Sequence, residues 1–263
     1  MIVDAHCHAS DVWFEPVEPL LFQMDQNGVG VGILTQVLGQ FDNSYQQGCL
    51  QRFPGRFVSV VAINPGEPGA AGRIREAAAA GAKGVRLRPD ARSPGDDPLA
   101  AWRAAAEAGL AISCGGPSAQ ILSPEFAAML EQLPGLVVVL EHLGGWSRPD
   151  CDQTDATREG IKALAKWPNL QLKVPALGQL AKRDPMLPSS GRTLSLEPGA
   201  IVLEMVDVFG AERLMWGSDF PPVASREGYR NALNWTRELF AGRPAGEAEA
   251  VFGGTARRVF AIP

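Results

Sequence analysis

Cysteine is scarce in this chain and scattered: Cys7, Cys49, Cys114 and Cys151 stand apart, with no C-x-x-C pair among them. That excludes a disulfide framework and a zinc knuckle, and it fits a reducing, cytoplasmic setting. Runs of lysine or arginine are also missing, and 24 Lys+Arg against 29 Asp+Glu leave a net charge of −5. Such a chain carries no electrostatic footprint for nucleic acid, so small molecules are the expected partners. The clean apolar stretches are strand-length, too short to cross a bilayer, and nothing before Ile2 reads as a charged leader, so neither a membrane nor an export role is expected. No G-x-G-x-x-G follows the first apolar run, which argues against a dinucleotide fold. Histidine is rarer still, at three in 263 residues.

What is present describes an ordinary globular protein, 46% hydrophobic and 20% charged. Eight short runs rich in β-branched and aliphatic residues recur: Ile2–Ala5, Val31–Gln36, Phe57–Ile63, Lys83–Arg88, Leu110–Cys114, Leu136–Glu141, Leu170–Val174 and Arg213–Trp216. Helix-like stretches separate most of them, at Pro19–Gln26, Ala70–Ala80, Asp97–Ala108, Pro124–Glu131, Thr157–Lys166, Gly199–Phe209 and Tyr229–Phe240. This alternation predicts right-handed crossovers and a parallel sheet. Eight units in this length favour a single (β/α)8 TIM-type barrel over residues 1–263, with room for distortion, rather than an open doubly wound sheet. The second crossover, Phe41–Arg56, reads as irregular. The loops Gly144–Arg158 and Gly178–Pro198 are longer, and both fall on the face where barrels carry their binding loops.

Two of the three histidines, His6 and His8, form an H-x-H step in the first strand. The two-residue period turns both imidazoles to one face, with Asp4 expected one step below on that face. Two imidazoles on one rigid strand make a two-pronged metal ligand; the bland alternative is a buried, hydrogen-bonded pair. His142 follows the sixth strand in VVVLEHLGG, and Asp219 follows the eighth in LMWGSDFPP. Singly, each reads as a capping histidine or an Asx-turn former. In a closed barrel, however, the eighth strand pairs with the first, bringing Asp219 toward His6 and His8. Neutral imidazoles, one carboxylate and an open position for water are what a mononuclear site needs.

In DAHCHA, PGRFVSVVAINP, GAKGVRLRP, EHLGG, LMWGSDFPP with the following REGYRNAL, and the closing GGTARRVFAI, the chain resembles the amidohydrolase superfamily. The likeness is to its amidohydrolase-related branch, which contains lactonases and nonoxidative decarboxylases, and it covers nearly the whole chain. The resemblance implies that His6 and His8 ligate a divalent metal, that Asp219 acts as base toward the attacking water or as a ligand, and that His142 matches the sixth-strand histidine of the branch. Many metal-dependent members place a further histidine at the end of the fifth strand, where this chain reads AISCGGPS. Cys114 stands near that position, as a substitute ligand or as a small buried hydrophobe. Lys83 lies at the wrong end of the fourth strand for a binuclear centre. The missing fifth-strand histidine resembles the lactonase branch, whose members do not all hold metal tightly; with a metal-poor site, His142 would polarise the carbonyl and Asp219 would take a proton from water.

Arg86 and Arg88 in GVRLRP share a face by the same two-residue period. Two guanidinium groups aimed into a barrel call for carboxylates, either a substrate's or the protein's own at Asp4, Glu141 or Glu204. Asn43, Ser44 and Tyr45, Trp13, and Arg148 are further candidates for the pocket rim, with loop packing as the alternative. Lys173 reads as a substrate contact or as a snorkelling surface residue. Trp102, Trp167 and Trp235 are expected to pack helices against the barrel. Asp150, Asp152 and Asp155 lack the glycine and terminal glutamate of a calcium loop.

These features predict a hydrolase that opens a lactone or related cyclic ester of a small carboxylated compound, with Asp219 as general base. The alternatives are a metal-dependent decarboxylase of an aromatic or unsaturated acid, and a barrel that binds a small molecule without turnover. The expected cofactor is one divalent ion, for which zinc suits the His/carboxylate set and manganese or iron remain open. The expected partner is a small anionic substrate, and a homo-oligomer is compatible with the sequence.

Overall fold

The apolar runs pair in chain order into one eight-stranded parallel sheet in the computed structural model, which describes residues 1–181, 183, 186, 191 and 193–263. The strands are β1 (Ile2–Cys7), β2 (Val29–Thr35), β3 (Phe57–Ala62), β4 (Gly84–Leu87), β5 (Ala111–Cys114), β6 (Val138–Leu140), β7 (Leu170–Val174) and β8 (Leu214–Trp216). Closure is made at the carboxyl end, where Cys7 bridges Phe220 in parallel. There Asp219 N donates to His6 O and His8 N donates to Phe220 O, each at 2.8 Å. The result is a (β/α)8 barrel of the TIM type.

Alternation along the strands divides the residues between two cores. Val3, Ile33, Val60, Ala111, Val139 and Met215 fill the interior, and Phe260 and Ile262 from the end of the chain join them. Outward residues such as Leu34, Val85, Leu140 and Trp216 meet the helices, where Leu20, Met24, Ile74 and Trp102 are buried. Trp102 also donates its indole N–H to Ala91 O at 3.0 Å, so packing its ring leaves no polar group unpaired.

The expected helices form close to their predicted limits. Ser123 caps Pro124–Gln132 by accepting from Phe126 N, and Thr154 caps Asp155–Ala163 by accepting from Thr157 N, two residues before the expected start. The irregular second crossover contains a regular helix, Ser44–Arg52, whose buried positions are Gln46 and Cys49. Gln46 accepts a 2.6 Å bond from Ser59 on β3, so this helix docks through a polar contact that hydrophobic patterning does not register. Of the expected Gly178–Pro198 loop, residues 182, 184–185, 187–190 and 192 lie outside the described residues.

One facing assignment is corrected, and one open choice is decided. The β1/β2 register shifts between Asp4 and Cys7, a bulge in β1. It turns Asp4 away from the face of His6 and His8, and its carboxylate instead accepts from Ser218 N (2.9 Å), Ser218 Oγ (2.6 Å) and Tyr229 OH (2.8 Å) on the helical side. Cys114 points into the outer core and is fully buried, with burial pushing its thiol well up. The interior position of β5 belongs to Ser113, so Cys114 is not a substitute ligand.

Candidate active site at the carboxyl end of the barrel

Above the apolar floor lies a buried polar layer. Arg86 grips Glu141 in a bidentate pair, Nε to Oε1 at 2.9 Å and Nη2 to Oε2 at 2.7 Å, and gives Nη1 to Gln36 O at 2.8 Å. Ser113 Oγ donates to Glu141 Oε1 (2.6 Å) and accepts from Lys173 Nζ (2.7 Å), which also lies 2.9 Å from His6 Nδ1. Although burial opposes its charge, Arg86 and then Lys173 hold the Glu141 carboxyl well below the ordinary carboxylate range. Burial brings Lys173 down to about 8. Lys173 is thus neither a surface residue nor an exposed substrate contact; it props the first-strand histidine from below.

His6, His8 and Asp219 converge on one point. Their ligand atoms all lie within 4.8 Å of one another, with Asp219 Oδ1 3.8 Å from His6 Nε2 and 3.5 Å from His8 Nε2. Tetrahedral ligands around a zinc-like ion stand about 3.4 Å apart, so the spacing fits a divalent metal. Two further observations agree. His6 Nε2 is buried without a hydrogen-bond partner, and His8 Nδ1 donates to Thr35 O at 2.6 Å, leaving its Nε2 lone pair directed at the cluster. Burial and then the Lys173 charge push the His6 pKa well down, keeping the ring neutral as ligation requires. A second grouping, His6, Glu141 and His142, has comparable distances. Its carboxylate is already saturated by Arg86 and Ser113, and the guanidinium beside it disfavours a cation.

Asp219 and His142 reach the site through strained backbone. Both have left-handed φ, +56° and +53°, as does Leu143 at +52°. Asp tolerates this region better than most residues, and such strain gathers where a side chain must leave a strand end at an unusual angle. Burial opposes the Asp219 charge, but the adjacent His8 ring and the nearby His142 and Arg226 hold its pKa below the usual value. Burial lowers the His142 pKa despite Asp219 and Glu141. His142 Nδ1 lies 2.8 Å from Gln179 Oε1, and Gln179 Nε2 donates to Asp219 Oδ2 at 2.6 Å.

A cavity of about 720 Å³ opens over this floor, with His142, Asp219 and Gln179 at its base and Arg148, Arg183 and Arg226 on its walls. Arg148 lines this cavity, while bonded to Asp150 through both Nε and Nη2. The other expected anion contacts do not reach it. Arg86 is spent on Glu141 beneath the site, and Arg88, beyond the end of β4, is exposed and pairs with Asp90. Asn43 binds the backbone of Ala62 through both amide atoms, and Tyr45 OH accepts from Val17 N. Trp13 is exposed, while its neighbour Phe14 stacks on His8 with ring centres 5.5 Å apart. Gln179, Arg183 and Arg226 were missed, since glutamine and arginine in loops carry no spacing signal; only REGYRNAL after the eighth strand marked Arg226.

The family model for amidohydrolases matches residues 3–262. This chain belongs to the amidohydrolase family. Solved structures repeat the fold of this amidohydrolase across its length. An amidohydrolase from Burkholderia multivorans, solved with bound zinc and separately with HEPES, superposes with a TM-score of 0.78 at 21% identity, covering 100% of both chains. A candidate 2-pyrone-4,6-dicarboxylic acid hydrolase from Pseudomonas putida gives 0.74 at 23% identity, over 99% of this chain and 97% of that one. The 5-carboxyvanillate decarboxylase of Sphingomonas paucimobilis gives 0.67 at 16%, over 100% and 99%. No curated protein matches the chain.

Proposed function

We propose that this amidohydrolase opens a lactone or related cyclic ester of a small carboxylated compound. The convergence of His6, His8 and Asp219 beneath a cavity walled by arginines carries this reading. The likeness to a candidate hydrolase of 2-pyrone-4,6-dicarboxylic acid, a cyclic ester bearing two carboxylates, supports the substrate class. His6, His8 and Asp219 would hold a divalent ion, with zinc the best match to the donor set, which would supply Lewis-acid polarisation of the carbonyl and of water.

The protein's own groups do the rest. Asp219 takes the proton from the attacking water and later delivers it to the leaving oxygen. Arg226 Nη2, 3.4 Å from Asp219 Oδ2, favours the ionised carboxylate that a base requires. Arg148, Arg183 and Arg226 orient the substrate's carboxylates, since guanidinium meets carboxylate in a planar fork. His142 presents its ring to the same centre, 5.2 Å from that of His6. A decarboxylase is the second reading, supported by the fold shared with 5-carboxyvanillate decarboxylase.

The test joins metal content to product analysis. Protein purified without chelators is expected to hold near-stoichiometric divalent metal, and a His6→Ala/His8→Ala double variant is expected to lose it. Against a panel of carboxylated lactones, Asp219→Asn should lower kcat by at least about 10²-fold while the fold is kept. An undiminished rate would remove Asp219 as base, and carbon dioxide release from an unsaturated acid with no lactone opened would replace the hydrolase reading by the decarboxylase.

A further inference from the structure

The polarity of one amide orders the site. Gln179 ends a short turn, Leu177–Gln179, directly after β7, and it touches both His142 and Asp219. We infer that Gln179 is a positioning residue through which the Asp219 carboxylate sets the tautomer of His142.

A primary amide has one donating and one accepting end, and the structure gives each end a partner. An ionised carboxylate only accepts, so the NH2 end must face Asp219 Oδ2, as found at 2.6 Å. The amide oxygen is then left to His142 Nδ1 at 2.8 Å and to Ser147 Oγ at 3.0 Å. Ser147 can donate or accept and decides nothing. The amide oxygen can only accept, so His142 must carry its proton on Nδ1, and its neutral ring keeps the lone pair on Nε2. Reversing the amide would set its oxygen against the carboxylate oxygen at 2.6 Å, a repulsive contact between two acceptors.

The turn is anchored so that this bridge is already formed. Gly178 N donates to Glu227 Oε1 at 2.7 Å, and the other Glu227 oxygen packs so closely on Gly178 that a Cβ there would collide with it. Glu227 is itself buried, and Leu177 on the other side of Gly178 is 1% exposed. The backbone leading into the bridge is therefore held, and little ordering of it remains when substrate arrives. An Nε2 lone pair on His142 can accept a proton or bind an electrophile, whereas an Nε2–H could only donate. That consequence rests on the hydrolytic reading; the tautomer itself does not.

The experiment uses full-length protein with ring-15N histidine, stripped of metal by chelator and held at mildly alkaline pH so that the rings are neutral. Three histidines give three ring systems, and His142 is assigned by its loss in His142→Gln. His8 serves as an internal standard, because its Nδ1 donates to the Thr35 carbonyl. His142 is expected to match His8 as an Nδ1–H tautomer. In Gln179→Met it should move to predominantly Nε2–H while His8 is unchanged; a change in packing alone would not select one tautomer. In Asp219→Ala the amide loses its orienting charge, and His142 should become a mixture. An Nε2–H tautomer in the parent protein, or Nδ1–H retained in Gln179→Met, overturns the inference. Should the methionine variant fail to fold, Asp219→Ala decides, with a mixture supporting the bridge and unchanged Nδ1–H overturning it. Substrate and metal are absent throughout, so failure of this inference is distinguishable from failure of the proposed activity.

Discussion

Arg86 and Arg88 look interchangeable in GVRLRP, yet they occupy opposite physical situations. Arg86 is 8% exposed and bound at both ends to a carboxylate that is 1% exposed, whereas Arg88 is 46% exposed against Asp90. Removing one partner of a buried pair strands the other charge, so Arg86→Ala should destabilise by about 3–5 kcal/mol, read from a denaturant midpoint. Arg88→Ala should leave that midpoint nearly in place, because solvent already screens the pair. A comparable midpoint shift for both variants would show that the buried layer does not carry this energy. The pair also has a pH signature. The Glu141 pKa is depressed by folding, so its contribution is present above the unfolded carboxylate range and is lost only as the pH falls through that range toward the lower folded value. At this scale the histidines and Asp219 were legible because each is chemically conspicuous at a strand end. Which arginine meets a protein carboxylate is decided by side chains from distant strands, and no local pattern carries it.

Strands were the most legible elements, since a run of aliphatic residues buried on both faces has no other comfortable place in an α/β fold. The errors came where an element departs from regularity. Period two placed Asp4 beside His6, but one extra residue in β1 reverses the face, and Asp4 became a tie from β1 to Ser218 and Tyr229. The helix Ser44–Arg52 escaped notice because it buries a glutamine and a cysteine. The join between β8 and β1 is the element contact on which the site depends. An alanine Cβ at Gly217 would stand 2.5 Å from His6 Cβ and 2.8 Å from its backbone nitrogen. Backbone cannot yield as a side-chain tip can, so Gly217→Ala should destabilise by about 1–3 kcal/mol and lower metal content together. Thermal melting and metal analysis of the same preparation check this; a stable variant with full metal would contradict the contact.

Across the whole molecule, the candidate ligands tie the first strand to the segment after the last, so a bound ion would clasp the barrel at its seam. Anything that binds the native but not the unfolded chain raises stability, by about 4 kcal/mol at a thousandfold excess over Kd. Chelation should therefore lower Tm, with zinc restoring it, and the His6→Ala/His8→Ala protein should respond to neither; equal responses would place the metal elsewhere. No helix among the described residues is long and apolar enough to cross a membrane. The sequence by itself determined the alternation of strand and helix, and hence the barrel, because both periodicities are local properties of the backbone. It also determined that His6, His8, His142 and Asp219 fall at strand ends on one face, since parallel strands all end on the same side. Only the tertiary structure decided the face of Asp4, the partner of Arg86, the burial of Cys114 and the bridge through Gln179. Those depend on register and on contacts across the barrel, where residues far apart in sequence compete for the same few donors and acceptors.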